Sequence, residues 1–334
     1  MKKEKPICLP DRAPRYEDVL FANVILDNCK SFELKMDIYQ SPEQTEPGPC
    51  IVYFFGGGWL WGNYKQKENR AVYFRDLVKL VDSGFTIISP AYRLVDQAIF
   101  PAAIHDCKGA IRFLKANSDT YHIDTDRIGT LGNSAGGHLA AMVAMSANRK
   151  EMEGNVGGNL EYSSTIKAAA LFYAPPYLLD FNEECNGNVA GSKNTDKKTE
   201  IGGGETEVGQ GKFIDMVENS PDAVALGFAG PGKGTPVLIK IAQAGDQSVT
   251  EWKHVELARA CSPITYINEK CPPMVILHGE QDPVVPIRQS EVFYKALAAA
   301  GADVTYVSQS FAGHGPSIGS DADRLAYNFL TSRL

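Results

Sequence analysis

One serine in this chain stands where its neighbours could make it reactive. In Gly132-Asn133-Ser134-Ala135-Gly136 it sits between two glycines, each two residues away. In a chain this rich in glycine, Gly-x-Ser-x-Gly arises by composition alone with a probability of roughly 0.2, so the string needs context. The context is a β-rich run at 127–131 before it and an alanine-rich helical run at 139–147 after it. A strand–turn–helix of this kind forces the serine into a strained backbone conformation and lifts its hydroxyl clear of the sheet. The glycines are required because a Cβ on either side would collide across the turn. The chemistry is nucleophilic attack on a carbonyl carbon. The plainer reading, a serine that caps a helix, accounts for neither glycine.

A serine hydroxyl is a weak nucleophile at neutral pH and needs a base, which in turn needs an orienting carboxylate. On a strand–turn–helix scaffold the chain order is serine, acid, histidine. Of His105, His122, His138, His254, His278 and His314, only the last three follow Ser134 at any distance. His254 falls in a helical stretch. His278 ends the apolar run Met274-Val275-Ile276-Leu277 and reads as a buried, hydrogen-bonded support. His314, in Ala312-Gly313-His314-Gly315-Pro316, lies in a glycine-flanked loop after the final strand and is the expected base. The acid is expected at Asp282, in the proline-bounded turn Asp282-Pro283-Val284-Val285-Pro286, with Glu280 as the alternative.

Attack on a carbonyl also builds charge on its oxygen, which needs preorganised donors. A strand at 50–55 runs into Gly56-Gly57-Gly58-Trp59, where three glycines leave backbone N–H groups unshielded. The N–H groups of Gly57 and Gly58, with that of Ala135 beside the serine, are the expected oxyanion hole. Trp59 is the expected substrate-binding residue. Together with Phe55 and Trp61 it would shorten the acyl cavity and favour small acyl groups.

These residues need a frame that brings distant positions together. Strand-like runs at 19–24, 32–39, 50–55, 85–89, 127–132, 168–174, 274–278 and 304–307 alternate with helical patterns near 65–82, 101–117, 135–147, 287–300 and 321–331. That alternation predicts an α/β fold with a mostly parallel sheet covered on both faces, opened by an antiparallel pair. The stretch 180–250 breaks the pattern. It is rich in glycine and polar residues, includes Gly202-Gly203-Gly204, and reads as a lid-like insertion after the sixth strand within a single domain spanning 1–334. Inside it, Gly227 and Gly232-Lys233 imitate a phosphate-binding loop, but Gly234 stands where a magnesium-ligating hydroxyl belongs.

The chain has 334 residues, 44% of them apolar and 22% charged, an ordinary globular balance that excludes disorder and low complexity. Its net charge of −7 disfavours nucleic acid and anionic membrane surfaces as partners. The expected partner is a small-molecule or oligosaccharide substrate, and no oligomeric state is readable. Seven scattered cysteines without Cys-x-x-Cys or zinc-ligand spacing fit a reducing compartment. Met1-Lys2-Lys3 is followed by Glu4, Lys5, Pro6 and Pro10, with no apolar signal-peptide core. The expectation is a cytoplasmic protein, or a secreted one if a leader has been trimmed.

The ordered set of Gly56-Gly57-Gly58-Trp59, Ala91-Tyr92-Arg93-Leu94, Pro101-Ala102-Ala103-Ile104-His105-Asp106, Gly132-Asn133-Ser134-Ala135-Gly136-Gly137-His138, His278-Gly279-x-x-Asp282 and Gly313-His314-Gly315 resembles the α/β-hydrolase superfamily. It is most similar to carboxylesterases related to hormone-sensitive lipase, and among these to bacterial acetyl and feruloyl esterases. The resemblance implies an eight-stranded sheet, a serine esterase acting through an acyl-enzyme on short-chain esters, and no cofactor or metal. It also implies that Tyr92 and Asp106 are structural supports. Amide-bond hydrolysis and a non-catalytic binding role on the same scaffold are the alternatives. One departure stands out: these esterases usually carry histidine before the glycines, and this chain has Phe55. With only packing to hold the loop, its donors are expected to be less well ordered, so that Phe55→His would raise turnover modestly.

Overall fold

A computed structural model describes residues 13–66, 72–147, 149–180, 218–315 and 320–334. Eight strands form one sheet: β1 (Tyr16–Ile25), β2 (Ser31–Tyr39), β3 (Gly48–Phe54), β4 (Thr86–Pro90), β5 (Ile123–Asn133), β6 (Ala168–Phe172), β7 (Met274–Gly279) and β8 (Val304–Gln309). Their order across the sheet is β1-β2-β4-β3-β5-β6-β7-β8. β2 runs antiparallel to both β1 and β4, and every other pair is parallel. The α/β-hydrolase fold read from the motifs is the fold observed.

The burial pattern explains the strand sequences. β4 (Thr-Ile-Ile-Ser-Pro) and β6 (Ala-Ala-Ala-Leu-Phe) are buried at every position, as central parallel strands covered on both faces must be. β1 and β8 lie at the edges: β1 mixes exposed with buried positions, and β8 is exposed or half-buried throughout. The helices are α1 (Val72–Leu77), α2 (Ala102–Ala116), α3 (Ala135–Met145), α4 (Thr235–Ala244), α5 (Trp252–Ala260), α6 (Arg288–Ala299) and α7 (Ser320–Arg333), together with shorter turns. α3 is buried along its whole length, and its alanines and glycines let it lie close to the sheet.

Two expectations are corrected. The helix expected over 65–82 is α1 followed by a 3₁₀ turn over Val78–Ser83, with 67–71 outside the described residues. The stretch 180–250 is also not loop throughout. Gly202-Gly203-Gly204 and the rest of 181–217 lie outside the described residues, but a short helix at Pro221–Ala225 and α4 fall within it. α4 starts at Thr235-Pro236, because proline in a first turn forfeits only an N–H that would lack an intrahelical partner. It stops at Gly245, which takes a left-handed φ of 70°.

The strand order also locates the site. β3 lies between β4 and β5, so the chain leaves β3 for one side of the sheet and reaches β5 on the other. In open α/β sheets the crevice beyond the carboxyl ends of such strands is where ligands bind. The glycine loop follows β3 and Ser134 follows β5, with Phe54 and Gly132 paired in register.

Candidate active site

Ser134 occupies the turn between β5 and α3 with φ 53° and ψ −123°, a strained conformation for any residue with a side chain. Its N–H donates to Phe172 O at 2.9 Å, and His138 N–H returns to Ser134 O at 2.9 Å, so the turn is pinned from both sides. A Cβ on Gly132 would overlap Gly136 O, and one on Gly136 would overlap Phe54 O. The two glycines are therefore a steric necessity, as the motif requires.

The structure brings His314 and Asp282 to this serine. Ser134 Oγ donates to His314 Nε2 at 3.1 Å, and His314 Nδ1 donates to Asp282 Oδ2 at 2.7 Å. The carboxylate partner at Nδ1 assigns the proton to that nitrogen and leaves Nε2 as the acceptor facing the serine. Asp282 Oδ1 accepts the N–H groups of Val284 at 2.8 Å and Val285 at 2.9 Å, which locks the carboxylate in its turn. Its side chain is fully buried. Burial alone would push that carboxyl up, but hydrogen bonds from His278 and His314, and their positive potential, outweigh it and hold it at about 2.

His278 is the support that its strand-end position suggests. It is completely buried, takes the Ser290 hydroxyl at Nδ1 (2.7 Å), and directs Nε2–H at Val285 O (2.8 Å) and Asp282 Oδ2 (3.3 Å). Glu280 is turned elsewhere, accepting the hydroxyls of Ser308 and Ser310 at 2.9 and 3.0 Å. His254 lies apart on α5, bonded to Leu226 O at 3.1 Å.

The glycine loop leaves β3 with Gly57 at φ 118° and Gly58 at φ 60°. No hydrogen bond among the described residues occupies the N–H groups of Gly57, Gly58 or Ala135. Phe55, in place of a polar anchor, stacks on Tyr92 with ring centroids 4.2 Å apart and planes within 15°. The Tyr92 hydroxyl then donates to Phe55 O at 2.7 Å. The loop thus has both a packed ring and a hydrogen bond at its base; a histidine at 55 would keep the hydrogen bond, which is to the backbone, and alter only the stacking. Asp106, the other expected support, is fully buried and grips the Arg93 guanidinium at 2.7 and 2.9 Å and its N–H at 2.8 Å.

Trp59 is placed in the core, at 6% exposure, edge-on to His138 with ring centroids 5.0 Å apart. The two rings line an apolar cavity of about 20 Å³ with Phe100, Leu139, Ala225 and Cys261. His138 is buried, with Nε2–H on Cys261 O at 2.6 Å and Nδ1 without a partner among the described residues. Burial pushes its imidazole down to about 4, against the weaker upward pull of the Cys261 carbonyl. Sequence reasoning passed over two further residues. Asn133 accepts the Tyr53 hydroxyl at 2.8 Å, and Tyr173 packs on His314. An aromatic residue at a strand end just before Ala174-Pro175-Pro176 was the available signal for the second.

With this geometry in view, similarity to known proteins becomes informative. The BD-FAE family model matches residues 36–216 and 244–297, most of the chain. The chain belongs to the BD-FAE family. Esterase LipC of Mycobacterium tuberculosis is 25% identical to this BD-FAE chain over 282 residues, 84% of this chain and 56% of LipC. The chain spans about half the length of the curated relatives it matches. A truncated carbohydrate esterase from gut microbiota superposes with a TM-score of 0.70 at 24% identity, over 97% of this chain and 98% of its own. An acetyl ester-xyloside bifunctional hydrolase from Caldicellulosiruptor lactoaceticus gives 0.64 at 21% identity, over 96% and 97%. At these identities the two structures establish the shared fold. Among the described residues, no helix of the BD-FAE chain is long and apolar enough to cross a membrane.

Proposed function

We propose that this protein is a serine carboxylic ester hydrolase acting on short acyl esters, with acetyl or feruloyl esters of carbohydrates as the substrate class. The observation that carries the reading is the unbroken chain from Ser134 Oγ to His314 to Asp282, beside three backbone N–H groups that no described residue occupies and that could take an oxyanion. Family membership and the fold shared with a carbohydrate esterase and an acetyl ester-xyloside hydrolase support the substrate class.

In the first half-reaction Ser134 Oγ forms a bond to the ester carbonyl carbon while its proton passes to His314 Nε2. The carbonyl oxygen becomes an oxyanion facing the N–H groups of Gly57, Gly58 and Ala135. Collapse breaks the bond to the alcohol oxygen, which takes the proton from Nε2, and the acyl group remains on Ser134. Water then repeats the sequence, giving up its proton to His314 and releasing the acid. Asp282, ionised at any pH well above 2, holds His314 in the required tautomer and balances its transient charge.

Trp59 is buried edge-on against His138 and is not an exposed platform for substrate, so the preference for small acyl groups rests on the substrate class given above. The chain is read as one domain with 180–250 inserted in it. The described part of that insertion lies against the glycine loop, where a Cβ on Gly58 would come within 3.1 Å of Pro221. The scattered cysteines support a reducing compartment and so the cytoplasmic reading, with a secreted protein as the alternative.

The test is a hydrolysis panel from acetyl to long-chain aryl esters, with acetylated xylan oligomers and matched amides, alongside fluorophosphonate labelling. Labelling at Ser134 with acetyl esters preferred is the expected result. Failure to label Ser134, a preference for acyl chains of eight or more carbons, or faster amide than ester cleavage would overturn the reading.

A further inference from the structure

Tyr173 has no role in the scheme above, yet its placement is costly and specific. It follows β6, is 1% exposed, and adopts φ 38°, a left-handed value that is strained for a bulky side chain. That backbone turn carries its ring to His314, with centroids 4.3 Å apart and planes at 55°. At the far end of the ring, the phenol oxygen lies 3.4 Å from Asn133 Nδ2, and Asn133 Oδ1 is itself held by the Tyr53 hydroxyl at 2.8 Å. Asn133 immediately precedes Ser134. The ring is thus anchored to the strand that carries the nucleophile and laid against the base that the nucleophile uses.

We propose that Tyr173 is a positioning residue that seats His314 and stabilises its imidazolium through the π face of the phenol ring as Ser134 loses its proton. The proposal rests on the triad reading. A cation within about 6 Å of an aromatic centroid is attracted by the ring quadrupole, most strongly where water is excluded. Neutral imidazole gains little from the same contact, so the stabilisation grows as the charge develops and acts on turnover more than on ester binding. The titratable and charged groups that meet His314 among the described residues are Asp282 at Nδ1 and Ser134 at Nε2, with His278 behind Asp282. Glu280, on the same turn as Asp282, is occupied by Ser308 and Ser310. Asp282 compensates the charge at the Nδ1 edge of the imidazole, and the Tyr173 ring packs against it at a tilt, away from that hydrogen bond.

The experiment keeps the ring's shape and changes its electrons. Tyr173→Phe is compared with phenylalanines bearing one and three ring fluorines at the same position, and with Tyr173→Leu, which removes the ring. Acylation by a short aryl acetate is followed across pH, with KM, melting temperature and fluorophosphonate labelling of Ser134 on each protein. Tyr173→Phe is expected to stay within about threefold of wild type. Fluorination should then lower log kcat stepwise, to a loss on the order of tenfold, at constant KM and melting temperature. The acid limb of the profile should move to lower pH along the series, because the protonated base is progressively less stabilised. A flat series with the wild-type acid limb, in proteins whose Ser134 still labels, overturns the role of Tyr173 alone. Absence of labelling in the wild-type protein overturns the triad reading, and this proposal with it.

Discussion

The two sides of the site are held by different physics. On the side of β3 and β5, the glycine loop and the serine turn are set mainly by sterics and apolar packing, with backbone hydrogen bonds in support: glycines that tolerate no Cβ, and Phe55 stacked on Tyr92. On the side of β7 and β8, Asp282 and His314 sit on loops whose shape depends on polar contacts from His278, Ser290 and the backbone of Val284 and Val285. The first arrangement is stiff because atoms cannot overlap. The second is stiff only while every buried polar partner is present. Damage to the first side should therefore appear as misfolding or lost chemistry, and damage to the second as coupled losses that vary with pH.

The largest expected effect is at the serine. Ser134→Ala removes an atom without disturbing the turn, so turnover should fall by on the order of 10⁶ while the melting temperature stays within a degree or two of wild type. Turnover of a short aryl ester and a thermal melt check it, and retention of a tenth of the activity would sink the assignment. Gly136→Ala tests the steric side directly. A methyl group there meets Phe54 O, and a destabilisation above about 3 kcal/mol is expected from urea unfolding.

His278→Ala tests the polar side. It strips partners from Val285 O, Ser290 Oγ and Asp282 at once, so a loss of about 3 kcal/mol is expected, with a smaller fall in turnover than for His314→Ala. The pH dependence should change as well. Asp282 is held at about 2 against an ordinary 3.8, so its contribution to stability is present above pH 4 and disappears as pH falls through about 2. In His278→Ala that window should narrow from its acid end, which urea midpoints at pH 2 to 5 would resolve.

His138 supplies a second pH signature, from the packed side. Its imidazole sits at about 4 in the fold against 6.5 when free, so the neutral ring is fully tolerated above pH 6.5 and stability is lost as pH falls towards 4. His138→Phe should remove up to about 3 kcal/mol of that acid sensitivity, read as a flatter dependence of unfolding free energy on pH between 4 and 7. The smallest effect belongs to Phe55→His. The sequence argument expects faster turnover, but the ring already stacks on Tyr92, and a histidine there would lose packing and bury a polar edge. A drop in melting temperature with slightly lower turnover is the expected outcome; faster turnover at unchanged stability would restore the polar-anchor argument.

Much of the candidate site was legible in the chain because its parts are local. The serine turn lies within seven residues, the glycine loop within four, and each announces itself by residue types that only a tight backbone needs. The strands were legible for the same reason, since central parallel strands such as β4 and β6 must be continuously apolar. The segment after β6 was not, because α4 is read from composition as glycine-rich loop until its own Val237, Leu238 and Ile241 are separated from the glycines around them.

By itself, then, the sequence determined the candidate nucleophile, the candidate donors beside it, the order of the candidate acid and base, and the fold that could join them. Choosing Asp282 over Glu280 was an argument about turn geometry until the structure placed one carboxylate 2.7 Å from His314 and the other on Ser308 and Ser310. The same holds for the anchoring of Phe55 by Tyr92, the burial of Trp59 against His138, and above all the ring of Tyr173 on His314. The widest of these contacts, Tyr173 on His314, joins residues 141 positions apart. No local spacing records such a meeting, because it depends on where eight strands bring their ends, and that is decided by packing the whole sheet.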